Sequence, residues 1–276
     1  MALDAACDDE HGEADMTGFE GQLAVVTGAA GGIGGAIARG LAAAGADLAL
    51  VDIKDTDLAP ITSVATSARQ SIRAWQCNVT NSDSVASVCK SILAEQGPVS
   101  ILVNNVGGSG DQPMEQVEDL TDEVWDHVLS LNIGSIMRFC RSLVPGMKER
   151  RYGRIINVSS TLKDGMPGRS GTVAARIPYV TAKSAIVGMT KQLSLDLGAY
   201  GITVNAIAPG FTLPGEDARI TKRFRALSPE DQGRITAGIP MGRPAMGEDM
   251  ANAACFLAAP QSGYVTGEIL AVAGGA

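Results

Sequence analysis

The sequence predicts an α/β fold, a single doubly wound parallel sheet of about seven strands with helices on both faces. Three observations carry that expectation. Short β-rich apolar runs alternate with helical patterns along nearly the whole chain. The first apolar run feeds directly into a glycine-rich turn and then an alanine-rich helix. Of 276 residues 33 are glycine and only 4% are aromatic, which suits tight turns and close backbone approach rather than bulky packing.

Each element has its own justification. Gln22–Thr27 is a β-rich strand run, and Ile33–Ala44 an Ala-rich helix stopped by Gly45. Asp47–Ile53 reads as a buried strand, Leu58–Ala68 as a weaker helix and Ile72–Cys77 as a third strand. Val85, Val88, Cys89, Ile92 and Leu93 recur at helical spacing until Gly97-Pro98 ends the helix. Ile101–Val103 is the fourth strand, followed by a glycine-rich loop, Gly107 to Gly110. A long helix is expected over Asp122–Met147 and a fifth strand over Arg154–Val158. Residues 161–177 read as a polar loop, Tyr179–Leu197 as helix and Ile202–Ile207 as a sixth strand. Residues 211–243 are mixed in charge and rich in Gly and Pro, with a short helix near Asp217–Ala226. A helix over Asp249–Leu257 and a strand over Glu268–Val272 complete the chain. No linker-like shift in composition divides it, so one domain is expected over 20–276, preceded by an acidic, disordered tail over 1–19.

Composition excludes several classes. At a net charge of −8 the chain lacks the basic surface that coats nucleic acid. No run of 18 apolar residues is present to cross a membrane. The N-terminus is acidic (Asp4, Asp8, Asp9, Glu10, Glu13, Asp15), where a secretory leader would be basic and then apolar. Cys7, Cys77, Cys89, Cys140 and Cys255 form no CxxC pair, so they read as small core residues in a reducing, cytoplasmic compartment. His11 and His127 lack metal-ligand company, and no metal is expected.

Three features carry chemistry. Gly28, Gly32 and Gly34 sit between strand and helix, where a pyrophosphate rests on the amides of a helix N-terminus. The spacing is not the commoner G-x-G-x-x-G, and such a stretch is often only a tight turn. About twenty residues on, Asp52 ends the second strand, where a carboxylate accepts both ribose hydroxyls of an adenosine and repels a 2′-phosphate. Tyr179 and Lys183 are four apart and share a helical face. A nearby ammonium favours phenolate, and lowering the pKa by ~3 units requires about 4 kcal/mol of differential stabilisation. Such a pair is more often a surface contact. Here it follows a strand ending Val158-Ser159-Ser160, which brings a hydroxyl to the same sheet end.

The ordered set of motifs resembles the short-chain dehydrogenase/reductases. TGAAGGIG (27–34), Asp52, NNVG (104–107), Asn132, NVSS (157–160), YVTAK (179–183) and NAIAPGFT (205–212) appear in family order over about residues 20–275. The resemblance implies a Rossmann domain and a homotetrameric, nicotinamide-dependent oxidoreductase; with Asp52 favouring NAD, the expected reaction is NAD-dependent hydride transfer between the nicotinamide and a secondary alcohol or ketone, a small-molecule substrate. Tyr179 would be the general acid/base, Lys183 its modulator and a ribose ligand, and Ser160 the group that orients the substrate oxygen. Asn132 would hold a helix irregularity and a relay water. Gly28, Gly31, Gly32, Ile33 and Gly34 would cradle the pyrophosphate. Asp52 and Ile53 would meet the adenosine ribose, and Asn78 and Val79 the adenine. Asn105, Val106 and Gly107 would run along the cofactor, with Asn104 supporting from the sheet end. Pro209, Gly210 and Thr212 would reach the nicotinamide. The alternative within the family is an NADPH-dependent 3-oxoacyl-thioester reductase; from another class, a non-catalytic cofactor-bound sensor or scaffold.

Several positions depart from the family pattern. Asn78 stands where Asp is usual, and is expected to bond the adenine amine all the same. Val106 replaces Ala, Pro214 a common Thr and Ala273 the Asp of a C-terminal motif. Ser160 and Tyr179 are 19 apart, an insertion beside the pocket. Arg176 and the basic set Arg219, Lys222, Arg223 and Arg225 lie near the segments that cover substrate in the family, though such charges are more often solvated. Small and apolar residues on the two long helices (Ile133, Ile136, Phe139; Ala185, Gly188, Leu193) are expected to pair subunits across two-fold axes.

Overall fold

The computed structural model describes residues 18–109, 117–165, 173–216 and 218–276, and for 173–176 the backbone only. The acidic tail up to residue 17, with Cys7 and His11, and the Arg176 side chain lie outside what is described.

Seven strands form one parallel sheet: β1 (Leu23–Thr27), β2 (Asp47–Asp52), β3 (Ile72–Gln76), β4 (Val99–Asn104), β5 (Gly153–Val158), β6 (Ile202–Pro209) and, last in the chain, β9 (Ile269–Val272). The spatial order is β3-β2-β1-β4-β5-β6-β9. The first three strands wind outward from β1, and the chain then returns over the sheet to pair β4 with β1. Two short strands, β7 (Thr212–Leu213) and β8 (Ala245–Met246), make a second, two-stranded ladder that the sequence did not announce.

Period-two burial explains the layers. Ala24 and Val26 of β1, with Leu48, Leu50, Ile101, Val103 and Ile156, face α1 (Gly32–Ala43) and α9 (Gly247–Ala258). The alternate residues Leu23 and Val25, with Ala49, Val51, Leu102, Ile155 and Val204, face α3 (Ser82–Glu95), α5 (Ser135–Arg150) and α6 (Val173–Leu197). The small side chains have a use here. A Cβ on Gly40 of α1 would lie 3.0 Å from the Ala251 Cβ of α9, so these two helices pack almost backbone to backbone.

The structure corrects several expectations. Leu58–Ala68 holds only one helical turn, α2 (Ala59–Thr62). Beyond it, Gln70 Oε1 accepts the Thr66 and Ser67 amides while its Nε2 donates to Ala42 and Ala46, and these bonds fold the segment back as a turn. The expected loop 161–177 contains a 3₁₀ turn (Thr161–Asp164), and α6 already begins at Val173. The long helix Asp122–Met147 is instead α4 (Asp122–Leu129), a π turn (Ser130–Gly134) and α5. Between 211 and 243 there are two helices, α7 (Arg219–Arg225) and α8 (Pro229–Ala237). Ser228 caps α8 by accepting the Asp231 amide. Of the proposed pairing residues, Ile136 and Phe139 are core residues, so they cannot be on an intersubunit face.

Phe139 is 0% exposed in the layer between the sheet and α5. Phe139→Ala is expected to cost about 3–5 kcal/mol of stability. Equilibrium denaturant unfolding measures this, and a loss under about 1 kcal/mol would contradict the packing described.

Candidate active site

The site lies where the strand order reverses. β1 and β4 are neighbours, but their following loops leave in opposite directions, which opens a crevice at the carboxyl end of the sheet. Thr27 ties the two strand ends together. Its Oγ1 donates to Val103 O at 3.3 Å and accepts the Asn105 and Val106 amides at 3.0 and 3.2 Å. Asn105 Nδ2 donates back to Thr27 O at 3.0 Å.

The glycine turn needs its glycines for space. A Cβ on Gly34 would sit 2.2 Å from Gly28 O, and one on Gly28 2.7 Å from Asn105 Nδ2. Gly28 also has φ +69, in the left-handed region. The N-terminus of α1 has no side-chain cap and no acid in its first turn. Gly31, Gly32 and Ile33 of that turn line a cavity of about 750 Å³. Uncapped amides facing a cavity suit an anion.

At one end of the cavity stand Asp52, Ile53, Asn78 and Val79. Asp52 is already held: Oδ2 accepts the Ala30 amide at 3.0 Å and Oδ1 the Lys54 amide at 3.1 Å. Each carboxylate oxygen retains a lone pair for a ligand hydroxyl. Asn78 differs from expectation. Its Oδ1 accepts both the Thr80 amide (3.1 Å) and the Thr80 hydroxyl (2.7 Å). With both lone pairs occupied, that oxygen is not free for an adenine amine; the side chain offers a donor instead.

At the other end Ser160, Tyr179 and Lys183 line the wall with Pro209, Gly210 and Thr212. β5 delivers the serine pair and α6 the Tyr–Lys pair. Reciprocal bonds lock the two elements: Ser159 Oγ donates to Lys183 O and Lys183 Nζ donates to Val158 O, both at 2.8 Å. Asn105, Val106 and Gly107 form the wall between the two ends. A Cβ on Gly107 would lie 2.5 Å from Asn132 Oδ1 and 3.0 Å from Lys183 Nζ, so only glycine lets these groups converge behind it.

Of the residues expected from the sequence, Gly34 and Asn132 are not on the wall. Gly34 packs behind the turn. Asn132 is 0% exposed, and its Nδ2 donates to Val128 O and Gly108 O at 2.8 Å. Its expected helix irregularity is the π turn itself. Asn104 is buried at the sheet end, its Nδ2 donating to Asn157 Oδ1 at 2.9 Å. Thr27, Ser159, Phe211, Pro214, Ile220 and His127 also belong to the site but were not among the expected residues. Thr27 and Ser159 stand inside the quoted motifs; His127 is exposed, and it meets the cavity only because α4 crosses its rim. The basic residues of α7 are exposed, with Arg225 paired to Glu216.

The electrostatics depart from expectation at Tyr179. Burial raises the phenol above its ordinary value, and a hydrogen bond with Ser160 pulls the other way. Lys183 Nζ lies 5.4 Å from the ring centroid and spends a proton on Val158 O. Burial pushes the Lys183 ammonium down to about 8. Among the described residues, no cluster of His, Cys, Asp and Glu could hold a metal, and no helix is long and apolar enough to cross a membrane.

Known proteins resemble this chain in sequence and fold. A family model described as enoyl-(acyl carrier protein) reductase matches residues 28–276. The 3-oxoacyl-[acyl-carrier-protein] reductase FabG of Escherichia coli (strain K12) is 36% identical over 257 residues, 93% of this chain and 98% of the relative. The short-chain reductase protein NovJ of Streptomyces niveus is 34% identical, covering 92% and 93%. Among solved structures, a candidate NAD(P)-dependent gluconate 5-dehydrogenase from Beutenbergia cavernae with bound NADP superposes with a TM-score of 0.80 at 35% identity, covering 94% and 98%. A 7α-hydroxysteroid dehydrogenase with NADH and a 7-oxo bile acid gives 0.81 at 29%, covering 95% and 96%.

Lys183 has a pH signature. Its folded value of about 8 lies below the ordinary 10.5, so between those limits the unfolded chain binds more protons and stability rises with pH. Lys183→Met removes that titration. The stability difference, variant minus wild type, is expected to be constant below pH 8 and to fall as pH rises from 8 toward 10.5. Thermal unfolding of the nucleotide-free protein across pH measures it. A difference independent of pH would show that the ammonium is not held down.

Proposed function

The chain belongs to the short-chain dehydrogenase/reductase family, a pyridine-nucleotide oxidoreductase family, and from that premise we propose that it reduces the ketone of a 3-oxoacyl thioester with NADH. The observation that carries the reading is one cavity with Ser160, Tyr179 and Lys183 at one end and an uncapped helix N-terminus and Asp52 along it. The substrate class rests on likeness to FabG proteins, which favours the 3-oxoacyl reading over a general alcohol dehydrogenase.

The residues fit a dinucleotide. The α1 amides suit the pyrophosphate, Asp52 the adenosine ribose, and Thr212, Pro209 and Gly210 the nicotinamide end. When bound, the nucleotide supplies a hydride to the substrate carbon. Ser160 Oγ donates a hydrogen bond to the ketone oxygen. Tyr179, a phenol protonated at neutral pH whose value burial raises further, donates its phenolic proton to that oxygen as charge develops. Lys183 would hold the nicotinamide ribose, and its ammonium, 5.4 Å from the Tyr179 ring centroid, would return a proton to the phenolate and be reprotonated from solvent. A protonated phenol is the state needed by a reductase; the alcohol-oxidising direction needs the phenolate.

Cofactor choice is read from this chain's own residues, since one solved relative carries NADP and another NADH. Asp52 would face a 2′-phosphate; at ~4 Å and an effective dielectric near 20 the repulsion is of order 4 kcal/mol before solvent screening. The FabG likeness weighs toward NADPH, and Asp52 weighs against it. We read residues 20–276 as one nucleotide-binding domain with 211–243 over the substrate. A cytoplasmic homotetramer fits the free thiols Cys77, Cys89, Cys140 and Cys255 and the exposed Met137 and Leu195 of α5 and α6.

Two measurements test this. With a short 3-oxoacyl thioester, NADH is expected to exceed NADPH by roughly 10²–10³ in kcat/KM. Asp52→Ala shrinks that ratio, mainly by weakening NADH; equal use of both by the wild type would overturn the assignment. Tyr179→Phe is expected to lose at least ~10²-fold in turnover while binding NADH nearly as before. Near-normal turnover in that variant would remove the proposed acid.

A further inference from the structure

The π turn under the cavity leaves its carbonyls in need of unusual partners. Val128 O accepts the Asn132 side chain, and Leu131 O accepts Ser135 Oγ at 2.7 Å. Ser130 O accepts the Ser135 amide and also Arg138 Nη1 at 3.1 Å. Arg138 does more than satisfy this carbonyl. Its Nη2 donates to Ser130 Oγ at 3.0 Å, its Nε to Ser82 Oγ at 3.2 Å and its Nη1 also to Val79 O at 3.3 Å. One half-buried guanidinium, with no carboxylate partner among the described residues, thus spans two separate segments: Val79–Ser82, whose Val79 and Thr80 wall the Asp52 end of the cavity, and the π turn that aims Asn132. Each of these acceptors is a neutral oxygen, so the geometry of the guanidinium rather than its charge decides what it holds here.

We propose that Arg138 is a positioning residue that couples occupancy of the nucleotide-base end of the cavity to the placement of Asn132. A base at that end of the cavity would meet Val79; Arg138 would carry that restraint to Ser130; and the π turn fixes the Asn132 side chain against Gly108 and behind Gly107. Gly134 belongs to the same device. A Cβ there would lie 2.7 Å from Arg138 Nη1, while the backbone of Gly134 is helical (φ −62) and accepts any residue. Gly134→Ala therefore displaces the guanidinium without removing it.

The nucleotide half of this inference rests on the proposed function; the mechanical half does not, and the experiment separates them. In the nucleotide-free protein, amide exchange of Arg138→Met is expected to quicken together at residues 79–82 and 130–135. Quickening of one segment alone overturns the coupling. With NADH, Arg138→Met is expected to raise the equilibrium dissociation constant about tenfold, as loss of a charge-assisted bond to the base loop would. It should also lower kcat about tenfold, but not further when placed on Asn132→Ala, where the NADH weakening persists. Losses in kcat that multiply across the two substitutions, or an unchanged NADH affinity, overturn the proposal. Gly134→Ala should shift NADH affinity and kcat in the same directions, which covers the case in which Arg138→Met does not fold. If the wild type binds neither NADH nor NADPH the nucleotide half falls, and the exchange result alone decides whether Arg138 joins the segments.

Discussion

The whole site depends on one constraint: β1 and β4 are paired, yet their loops must diverge. A parallel sheet that reverses its winding has an unfilled crevice at that junction, and the backbone there must be polar on both sides. Thr27 and Asn105 resolve it with reciprocal bonds across the strand ends. Everything else is hung from that seam. Gly28 is folded against Asn105, Gly34 against Gly28 O, and α1 starts where the contact ends. Asp52, one strand over, holds Ala30 of the same turn, so the group proposed to select the nucleotide also braces the loop that would hold its phosphates.

Most of the sheet was legible in the sequence because its signals are local. Apolar runs such as LAVVT and DLALVD are buried throughout or nearly so, and the strands appear within a residue or two of where the pattern put them. Long helices were legible in existence; the break in the first was expected through the family motif at Asn132 and not through its periodicity, and α6 starts six residues before the expected Tyr179. Nothing in the apolar stripe around Ser130–Gly134 encodes an extra residue per turn; the π turn depends on distant partners, Gly108 and Arg138 among them. Leu58–Ala68 failed for a related reason. Gln70, outside the segment, takes amides that a helix would have used.

The site residues were legible through ordered motifs, and their environments were not. The spacing of Tyr179 and Lys183 places both on one face, but spacing says nothing about depth. Both are buried enough that desolvation, rather than their mutual field, sets the direction of each shift. Asn78 shows the same limit. Its identity suggests either a donor or an acceptor toward a ligand, and only the turn it makes with Thr80 decides between them. His127 and Ile220 reach the cavity from elements whose sequence reads as ordinary helix surface.

The lock between β5 and α6 has a thermodynamic side. A lysine on a solvated helix keeps about 1.5–2 kcal/mol of rotamer freedom, which any ligand that orders it must remove. Lys183 is 3% exposed and bonded to Val158 O before any ligand arrives. Its side-chain entropy is lost on folding, together with the hydration of its ammonium. A nucleotide docking against it therefore meets a group that is already immobile and dry, and the free energy of that contact goes into affinity rather than ordering.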